Sequence, residues 1–146
     1  MQTRAIHRFM FAQPNKVRRY GRLIKGKPVR EADAILQVMP SKVCKMLRKL
    51  LRSAVANAEH NHNLNRDELV VENVIADRGP IYKRIRPRAR GRAFLERKRT
   101  THVTIILEEA EVYRKKLEER RWIRGMRRAI RKGRLKWNRP KAAGEG

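Results

Sequence analysis

Residues 78–102 place the strongest constraint on what this chain can fold into. The segment contains ten Lys or Arg residues and a single acid, Glu96. The flanking segments, residues 69–77 and 103–107, are rich in β-branched residues and bounded by polar ones, which is typical of β-strands. Two strands joined by a basic, Gly-containing segment predict one long β-hairpin, with Gly91 as the turn residue at positive φ.

Such a hairpin has no buried face. An isolated pair of strands is marginally stable in water, and we expect mostly like charges to face each other across this one, which opposes pairing. Pro80 and Pro87 favour an exposed path because neither donates a ladder hydrogen bond. We therefore expect the hairpin to be extended and ordered only when phosphates neutralise it. A disordered, solvated basic loop is the alternative for the free protein.

The distribution of charge predicts a nucleic-acid binder. The chain has 39 Lys or Arg against 14 Asp or Glu, a net charge of +25. Much of this charge lies in two segments, residues 78–102 and residues 110–146, the second with fourteen basic and four acidic residues. Two cationic arms on a nearly ordinary body are typical of proteins that bind nucleic acid.

A membrane-surface protein would need an amphipathic helix with a broad apolar face, which neither arm offers. No apolar run reaches the length of a membrane span, and the first residues lack the apolar core of a secretory signal.

The rest of the chain predicts four further elements before the hairpin and one after it. Alternation predicts a strand over residues 3–11, with Ala5, His7, Phe9 and Phe11 on one side. Helices are predicted from Pro14 to a stop at Gly26, from residue 28 or 29 to about 39, and from 42 to about 61, the last with Ser41 as N-cap. A further helix is predicted from Glu108 to about residue 124, with a resumed helical stretch to 132 as the alternative and a disordered end after Trp137. A solvated charged helix without a partner is the alternative for that tail.

These elements predict an α+β fold. Its body is a three-stranded antiparallel sheet with three helices on one face, because the helices are grouped in sequence rather than alternating with strands. A long basic β-hairpin extension and a basic helical C-terminal tail complete it. We expect two regions: an α+β domain over residues 1–109 that includes the hairpin, and a basic extension over residues 110–146.

No catalytic or metal-binding set is predicted. The chain lacks a dinucleotide-binding or phosphate-binding glycine motif and any Ser/His/acid set. His60 and His62 are two residues apart, so on a helix they point to different faces; His60 and Asn61 are expected to cap the helix or to contact a phosphate. The single cysteine, Cys44, excludes an internal disulfide and is expected to be a packed helical residue. The prediction is a non-enzymatic protein without cofactor or metal, used in a reducing compartment that contains nucleic acid.

Several segments closely resemble one family. They are SAVANAEHN at 53–61, DRGP at 77–80, KRIRPRARGRA at 83–93 and KRTTHVT at 98–104. Over residues 3 to about 109 the chain resembles the bacterial-type form of the large-subunit ribosomal protein family numbered twenty-two. The resemblance implies a structural constituent of the large ribosomal subunit that binds several domains of large-subunit rRNA, contacts neighbouring ribosomal proteins and supports assembly. It also implies a hairpin that lines the nascent-polypeptide exit tunnel, with the nascent peptide at its tip. The implied location is the cytoplasmic ribosome, and an organellar ribosome stays open.

The resemblance implies three groups of rRNA-binding residues. The tip region beside the tunnel wall comprises Lys83, Arg84, Arg86, Arg88, Arg90, Gly91 and Arg92. The hairpin base comprises Arg78, Arg97, Lys98, Arg99, Thr100 and His102. The RNA-facing side of the body comprises Lys16, Arg18, Arg19, Lys25, Lys27, Asn57, His60 and Asn61.

Two features depart from the family. Gln13 stands where members often have a Ser cap before Pro14. The tail from Ala110 is absent from many members, and we hypothesise from its charge and from Trp122 and Trp137 that it is a second rRNA clamp. The alternative function is a DNA-binding architectural protein with a basic β-ribbon arm, since a Pro near an arm tip can wedge into a minor groove.

Overall fold

The computed structural model describes residues 2–131 and shows an α+β fold. The elements are β1 (Gln2–Met10), α1 (Pro14–Ile24), α2 (Val29–Val38), α3 (Lys42–His62), a 3₁₀ turn (Arg66–Glu68), β2 (Leu69–Pro87), β3 (Ala93–Glu109) and α4 (Ala110–Arg131). The sheet is antiparallel with the order β1-β3-β2. The predicted fold class is confirmed, including the long hairpin between β2 and β3. After Val112 the chain divides into two units, which are described separately.

The core of the first unit lies between the sheet and the helices. In β3, Val103, Ile105 and Leu107 are fully buried, as their alternation predicts. α3 covers them with a continuous apolar stripe of Val43, Leu47, Leu50, Ala54 and Ala58. Residues that lie beside this predicted stripe, Leu51 and Val55, are also buried, so α3 contacts neighbours over a wider face than the sequence suggested.

Cys44 is a packed residue of α3, as predicted. Its side chain is fully buried, and burial raises the pKa of the thiol. The thiol is therefore protonated at neutral pH and unreactive.

The turn between α1 and α2 is fixed to the edge of β2. Gly26 follows the last turn of α1 at φ 78°, which confirms the predicted stop. Its N–H donates to the carbonyl of Val71 at 2.7 Å, and the N–H of Val71 donates to the carbonyl of Lys27 at 3.0 Å. These two hydrogen bonds hold both helices against the sheet.

The end of α3 differs from the prediction. Asn63, at φ 51°, ends the helix in a left-handed conformation, with its N–H donating to the Glu59 carbonyl at 3.1 Å. The N–H of Leu64 donates to the Ala58 carbonyl at 3.2 Å, so the backbone beyond the helix satisfies two of its last carbonyls. The expectation that His60 and Asn61 cap this helix is therefore wrong. At the other end Ser41 occupies the predicted N-cap position, but its hydroxyl makes no capping hydrogen bond.

The regular alternation predicted for β1 fails after His7. The pairing with β3 shifts between His7 and Met10, and Phe9 adopts φ 57°. The shift turns Met10 into the core, where it is 1% exposed, and leaves Phe9 and Phe11 at the surface. A β-bulge of this kind moves all later side chains to the opposite face.

The boundaries of the hairpin and of α4 also differ from the prediction. β2 and β3 run without interruption from the body into the hairpin, with pairing shifts between Val71 and Asn73 and between Arg78 and Ile81. β3 continues to Glu109, which pairs with Leu69, so the helix does not begin at Glu108. α4 is continuous from Ala110 to Arg131, without the break after about residue 124 that the sequence predicted. The predicted end after Trp137 lies outside the described residues.

An ion pair joins α2 to α3 and yields a prediction about pH. Arg48 donates to both carboxylate oxygens of Asp33, at 2.8 and 3.2 Å, and to Gln37 at 2.8 Å. The hydrogen bond from Arg48 is the main cause that lowers the pKa of Asp33 below its ordinary value of 3.8. The pKa of Asp33 is therefore lower in the folded than in the unfolded protein. The ion pair stabilises the fold fully at pH values above 3.8, and this stabilisation is lost as the pH falls through the lower pKa of the folded state.

We therefore expect Asp33→Asn to lower the free energy of unfolding at neutral pH by about 1 kcal/mol, since the pair is partly exposed. The difference from the native protein should disappear in acid. Urea unfolding of both proteins measures this, at neutral pH and at a pH far enough below 3.8 that Asp33 is protonated in the folded protein as well. A difference that is independent of pH would contradict the assignment.

Candidate nucleic-acid interface

The hairpin carries cations on both of its faces. Beyond the bulge at Gly79 and Pro80, seven residue pairs run from Ile81 opposite Arg99 to Pro87 opposite Ala93, a ladder of about 23 Å at ~3.3 Å per residue. Directly opposed residues share a face. One face carries Ile81, Lys83, Ile85, Leu95, Arg97 and Arg99; the other carries Tyr82, Arg84, Arg86, Phe94, Glu96 and Lys98. Every residue from 80 to 99 is exposed.

The cross-strand pairs correct one expectation. Only Lys83 opposite Arg97 places like charges directly across this described part of the hairpin. Arg84 faces Glu96, Ile85 faces Leu95, and the other cations face apolar or aromatic residues. The prediction of mostly like-charged neighbours is wrong. The register places most cations of one strand opposite an uncharged or acidic residue of the other strand. The requirement for phosphate to order the hairpin stays a prediction.

The tip is a short basic turn. The N–H of Arg88 donates to the carbonyl of Arg92 at 2.8 Å, and Gly91 has φ 69°, as predicted. Arg90 is also left-handed, at φ 59°. The guanidinium of Arg88 lies 5.7 Å from the centre of the Phe94 ring, within reach of a cation–π interaction. Arg88, Arg90 and Arg92 are all exposed at the far end of the ribbon.

The base of the hairpin is held by buried polar side chains. Thr100 is 1% exposed, and its hydroxyl donates to the carbonyl of Pro80 at 2.7 Å. Thr101 is fully buried and donates to the carbonyl of Ala12 at 2.7 Å. Nδ1 of the half-buried His102 accepts from the Phe9 N–H at 3.2 Å. Thr100 and His102 were predicted to bind RNA; the structure gives both of them internal hydrogen bonds that orient the hairpin.

Several predicted residues of the body also bond within the protein. Arg18 donates to the carbonyl of Ala76 at 2.8 and 3.1 Å, and Lys25 donates to Asn73 at 2.9 Å. Lys27 forms an ion pair with Glu31, and Asn57 donates to the carbonyl of Arg4 at 3.3 Å. These contacts occupy part of the hydrogen-bonding capacity of each side chain. Lys16, Arg19, His60 and Asn61 are exposed on the helices and project from the body.

Sequence reasoning missed an aromatic group at the hairpin base. Phe9 and Phe11 are 50% and 62% exposed, and the Phe11 ring lies 6.1 Å from that of Tyr82. The signal available was the scarcity of aromatics, 5% of the chain, with two of them close together before Pro14. Regular alternation predicted that Phe9 and Phe11 lie on the same side of β1 as Ala5, which is buried. The bulge places the two phenylalanine rings at the surface instead.

α4 presents a basic face in the second unit. Arg121, Arg124, Gly125 and Arg128, spaced as one face of a helix, line a shallow hollow, and all four are exposed. Gly125 has no atom within 4 Å of the position a Cβ would take, so the helix backbone is accessible between the arginines.

The described residues contain no sign of two other kinds of site. Within residues 2–131, no three His, Cys, Asp or Glu side chains are placed to hold a metal ion. Each helix in the same range is too short or too polar to cross a bilayer.

This is a basic α+β protein with a long, exposed cationic β-ribbon, a combination that is typical of nucleic-acid-binding proteins. Residues 5–108 match the family model of ribosomal protein L22p/L17e. The chain belongs to this ribosomal protein family, which confirms the family suggested by the sequence motifs and, with it, the prediction of a non-enzymatic structural protein.

Bacterial relatives support the same family assignment. The large ribosomal subunit protein uL22 of Caldicellulosiruptor saccharolyticus is 52% identical over 104 residues, which cover 71% of this chain and 85% of the relative. The protein of the same name from Thermoanaerobacter sp. is 50% identical over 111 residues, 76% of this chain and 100% of the relative. That from Thermomicrobium roseum is 49% identical over 109 residues, 75% and 92%. The family model ends at residue 108, so the whole of α4 lies beyond it.

Proposed function

We propose that this protein is a structural constituent of the large ribosomal subunit that binds large-subunit rRNA through its hairpin. The observation that carries the proposal is the two-sided distribution of exposed cations, with Glu96 as the single acid between Arg78 and His102. A protein that lies on the surface of a nucleic acid needs cations on one face only. A ribbon with cations on both faces and at its tip fits a channel whose walls are phosphate, and several rRNA segments would surround it.

The tip is the part that reaches furthest from the body. Lys83, Arg84, Arg86, Arg88, Arg90 and Arg92, with Gly91, form the proposed contact with the wall of the nascent-polypeptide exit tunnel. Two features support this contact with the tunnel wall: the tip is only two strands wide, and its arginines are exposed. The nascent peptide is the proposed neighbour at that point. Arg78, Arg97, Lys98 and Arg99 form the proposed rRNA contact at the base.

The body contributes a second contact area. Exposed Lys16, Arg19, His60 and Asn61 are the proposed rRNA contacts there, while Arg18, Lys25, Lys27 and Asn57 combine RNA contact with their internal hydrogen bonds. Neighbouring ribosomal proteins are proposed partners on the remaining surface. The proposed place of action is the large subunit of the cytoplasmic ribosome, where the protein supports assembly.

Sedimentation tests this function directly. A tagged copy of the full chain, run in a cell lysate through a sucrose gradient at raised salt, is expected in the large-subunit fraction. Recovery with the nucleoid would contradict the proposal and favour the DNA-binding alternative. Recovery at the top of the gradient would also contradict it.

The extension after Glu109 is proposed as a second rRNA clamp, through the arginine face of α4 and the exposed Trp122, which is 66% exposed. The predicted contribution of Trp137 lies outside the described residues. Truncation after Glu109 is expected to leave incorporation at low salt intact and to release the protein at a lower salt concentration, because fewer phosphates are neutralised. Salt-wash release profiles of purified large subunits measure this. Identical profiles for the full and truncated chains would contradict the clamp.

A further inference from the structure

We propose that a notch at the base of the hairpin binds one unpaired nucleotide of RNA, with its base stacked on Phe11 and its phosphate held by Arg97, Lys98 or Arg99. The notch is the hollow lined by Phe11, Ala12, Gln13, Arg97, Lys98 and Arg99. The inference deepens the proposed function and rests on it, because it takes RNA to be the partner of the hairpin.

The notch exists because β1 is shorter than its neighbour. The last pair between β1 and β3 is Met10 opposite Thr101, and the chain then turns away toward Pro14 at the start of α1. From Arg99 to Ala93, β3 pairs with β2 on one side only, among the residues described. The space that β1 would have filled is an open hollow of about 380 Å³.

The fold turns an aromatic ring toward this space. Phe11 is 62% exposed, and its ring is supported from one side by Tyr82, at 6.1 Å between centres and an interplanar angle of 39°. The bulge that places it there costs free energy, since Phe9 adopts φ 57°. His102 holds that bulge by accepting the Phe9 N–H and by an edge contact with the Phe9 ring at 4.7 Å. A ring that is exposed and supported on one side is a stacking platform for a base.

The charge around the ring selects a nucleotide over an apolar ligand. Three consecutive cations line the notch, and none of its lining residues within the described range 2–131 is acidic. A smaller hollow of about 180 Å³ adjoins it, shares Gln13 and Arg99, and adds Arg78. Phosphates that flank a stacked base would therefore meet cations along the strand. Aromatic and basic side chains combined in this way bind single-stranded nucleic acid, since the bases of a duplex are already stacked on each other.

Phe11→Ala in the full chain tests the stacking contact. The probes are a single-stranded oligouridine, an RNA duplex and inorganic polyphosphate, with affinities measured by titration at fixed salt. We expect Phe11→Ala to weaken binding of the oligouridine by roughly five- to hundredfold and to leave the other two affinities unchanged. Phe11→Trp should retain the native affinity. Val38→Ala, at a side chain 83% exposed on α2, is the matched control and should change nothing.

The opposite results would overturn the inference. They are an unchanged affinity of Phe11→Ala for the oligouridine, or an equal loss for all three probes. A folding defect in Phe11→Ala would show in its thermal unfolding; in that case native-like discrimination of the probes by Phe11→Leu, which keeps an apolar side chain but has no ring, would also overturn stacking.

A second experiment separates this inference from the proposed function. The photo-reactive residue p-benzoylphenylalanine replaces Phe11 in cells, and large subunits are purified and irradiated. A crosslink to an unpaired rRNA nucleotide is expected. Crosslinks to protein alone, or none, with the chain present in the large subunit, would overturn the notch and leave the proposed function standing. Absence of the chain from the large subunit would overturn both.

Discussion

Gly79→Ala is expected to lower the free energy of unfolding by about 1–3 kcal/mol, because the hairpin base has no room for a methyl group. A Cβ at this position would lie 2.5 Å from Oγ1 of Thr100 and 3.2 Å from its carbonyl carbon. The threonine hydroxyl cannot move aside without breaking its 2.7 Å hydrogen bond to the carbonyl of Pro80. The backbone atom cannot move without shifting β3.

Denaturant unfolding of the purified protein measures this effect, with Gly125→Ala as the matched control. Gly125 has nothing within 4 Å of its Cβ position, so alanine there should be neutral or slightly stabilising. Thr100→Ala removes the closest atom, and the double variant should therefore lose less stability than the sum of the single variants. Full additivity, or a Gly79→Ala protein as stable as the native one, would contradict the packing described for the hairpin base.

Neutralising hairpin cations is expected to have the largest effect on RNA binding. The triple variant of Lys83, Arg84 and Arg86 to Gln removes three exposed charges from both faces of the ribbon. If each contacts a phosphate, the slope of the logarithm of the RNA affinity against the logarithm of salt concentration should fall by roughly 2–3.

The control for that experiment removes the same charge from the body. Lys42, Lys45 and Lys49 are exposed on α3 and lie outside the proposed interface. Their change to Gln should alter the salt slope by less than about 1, through long-range attraction alone. Binding isotherms of both triples to a large-subunit rRNA fragment over a series of salt concentrations give the two slopes. Equal slopes would show that the net charge, and not the hairpin, determines affinity.

The elements that follow a regular period were predictable from sequence. α3 and β3 have apolar residues at spacings of a helix and a strand, and Gly26 and Gly91 stand where the chain needs positive φ. The motif PRARGRA, which carries part of the family resemblance, forms the tip of the hairpin.

What could not be predicted depends on contacts between distant parts of the chain. The bulge at Phe9 is held by His102, 93 residues away, and no local pattern announces it. The pairing of Lys83 with Arg97 and of Arg84 with Glu96 depends on two register shifts in β2, which set every later pair. Likewise the acceptor of Arg18 is a backbone carbonyl, which carries no sequence signature. The cations were therefore predictable as a group, and their individual partners were not.

Crosslinking from position 90 tests whether the hairpin tip contacts rRNA and the nascent peptide. A photo-reactive residue in place of Arg90, at the left-handed turn of the tip, is irradiated in purified large subunits and in translating ribosomes. We expect crosslinks to large-subunit rRNA in the purified subunits and in the translating ribosomes, with additional crosslinks to the nascent peptide during translation. Crosslinks to DNA, or a tip that reacts only with solvent while the body is bound to the subunit, would contradict it.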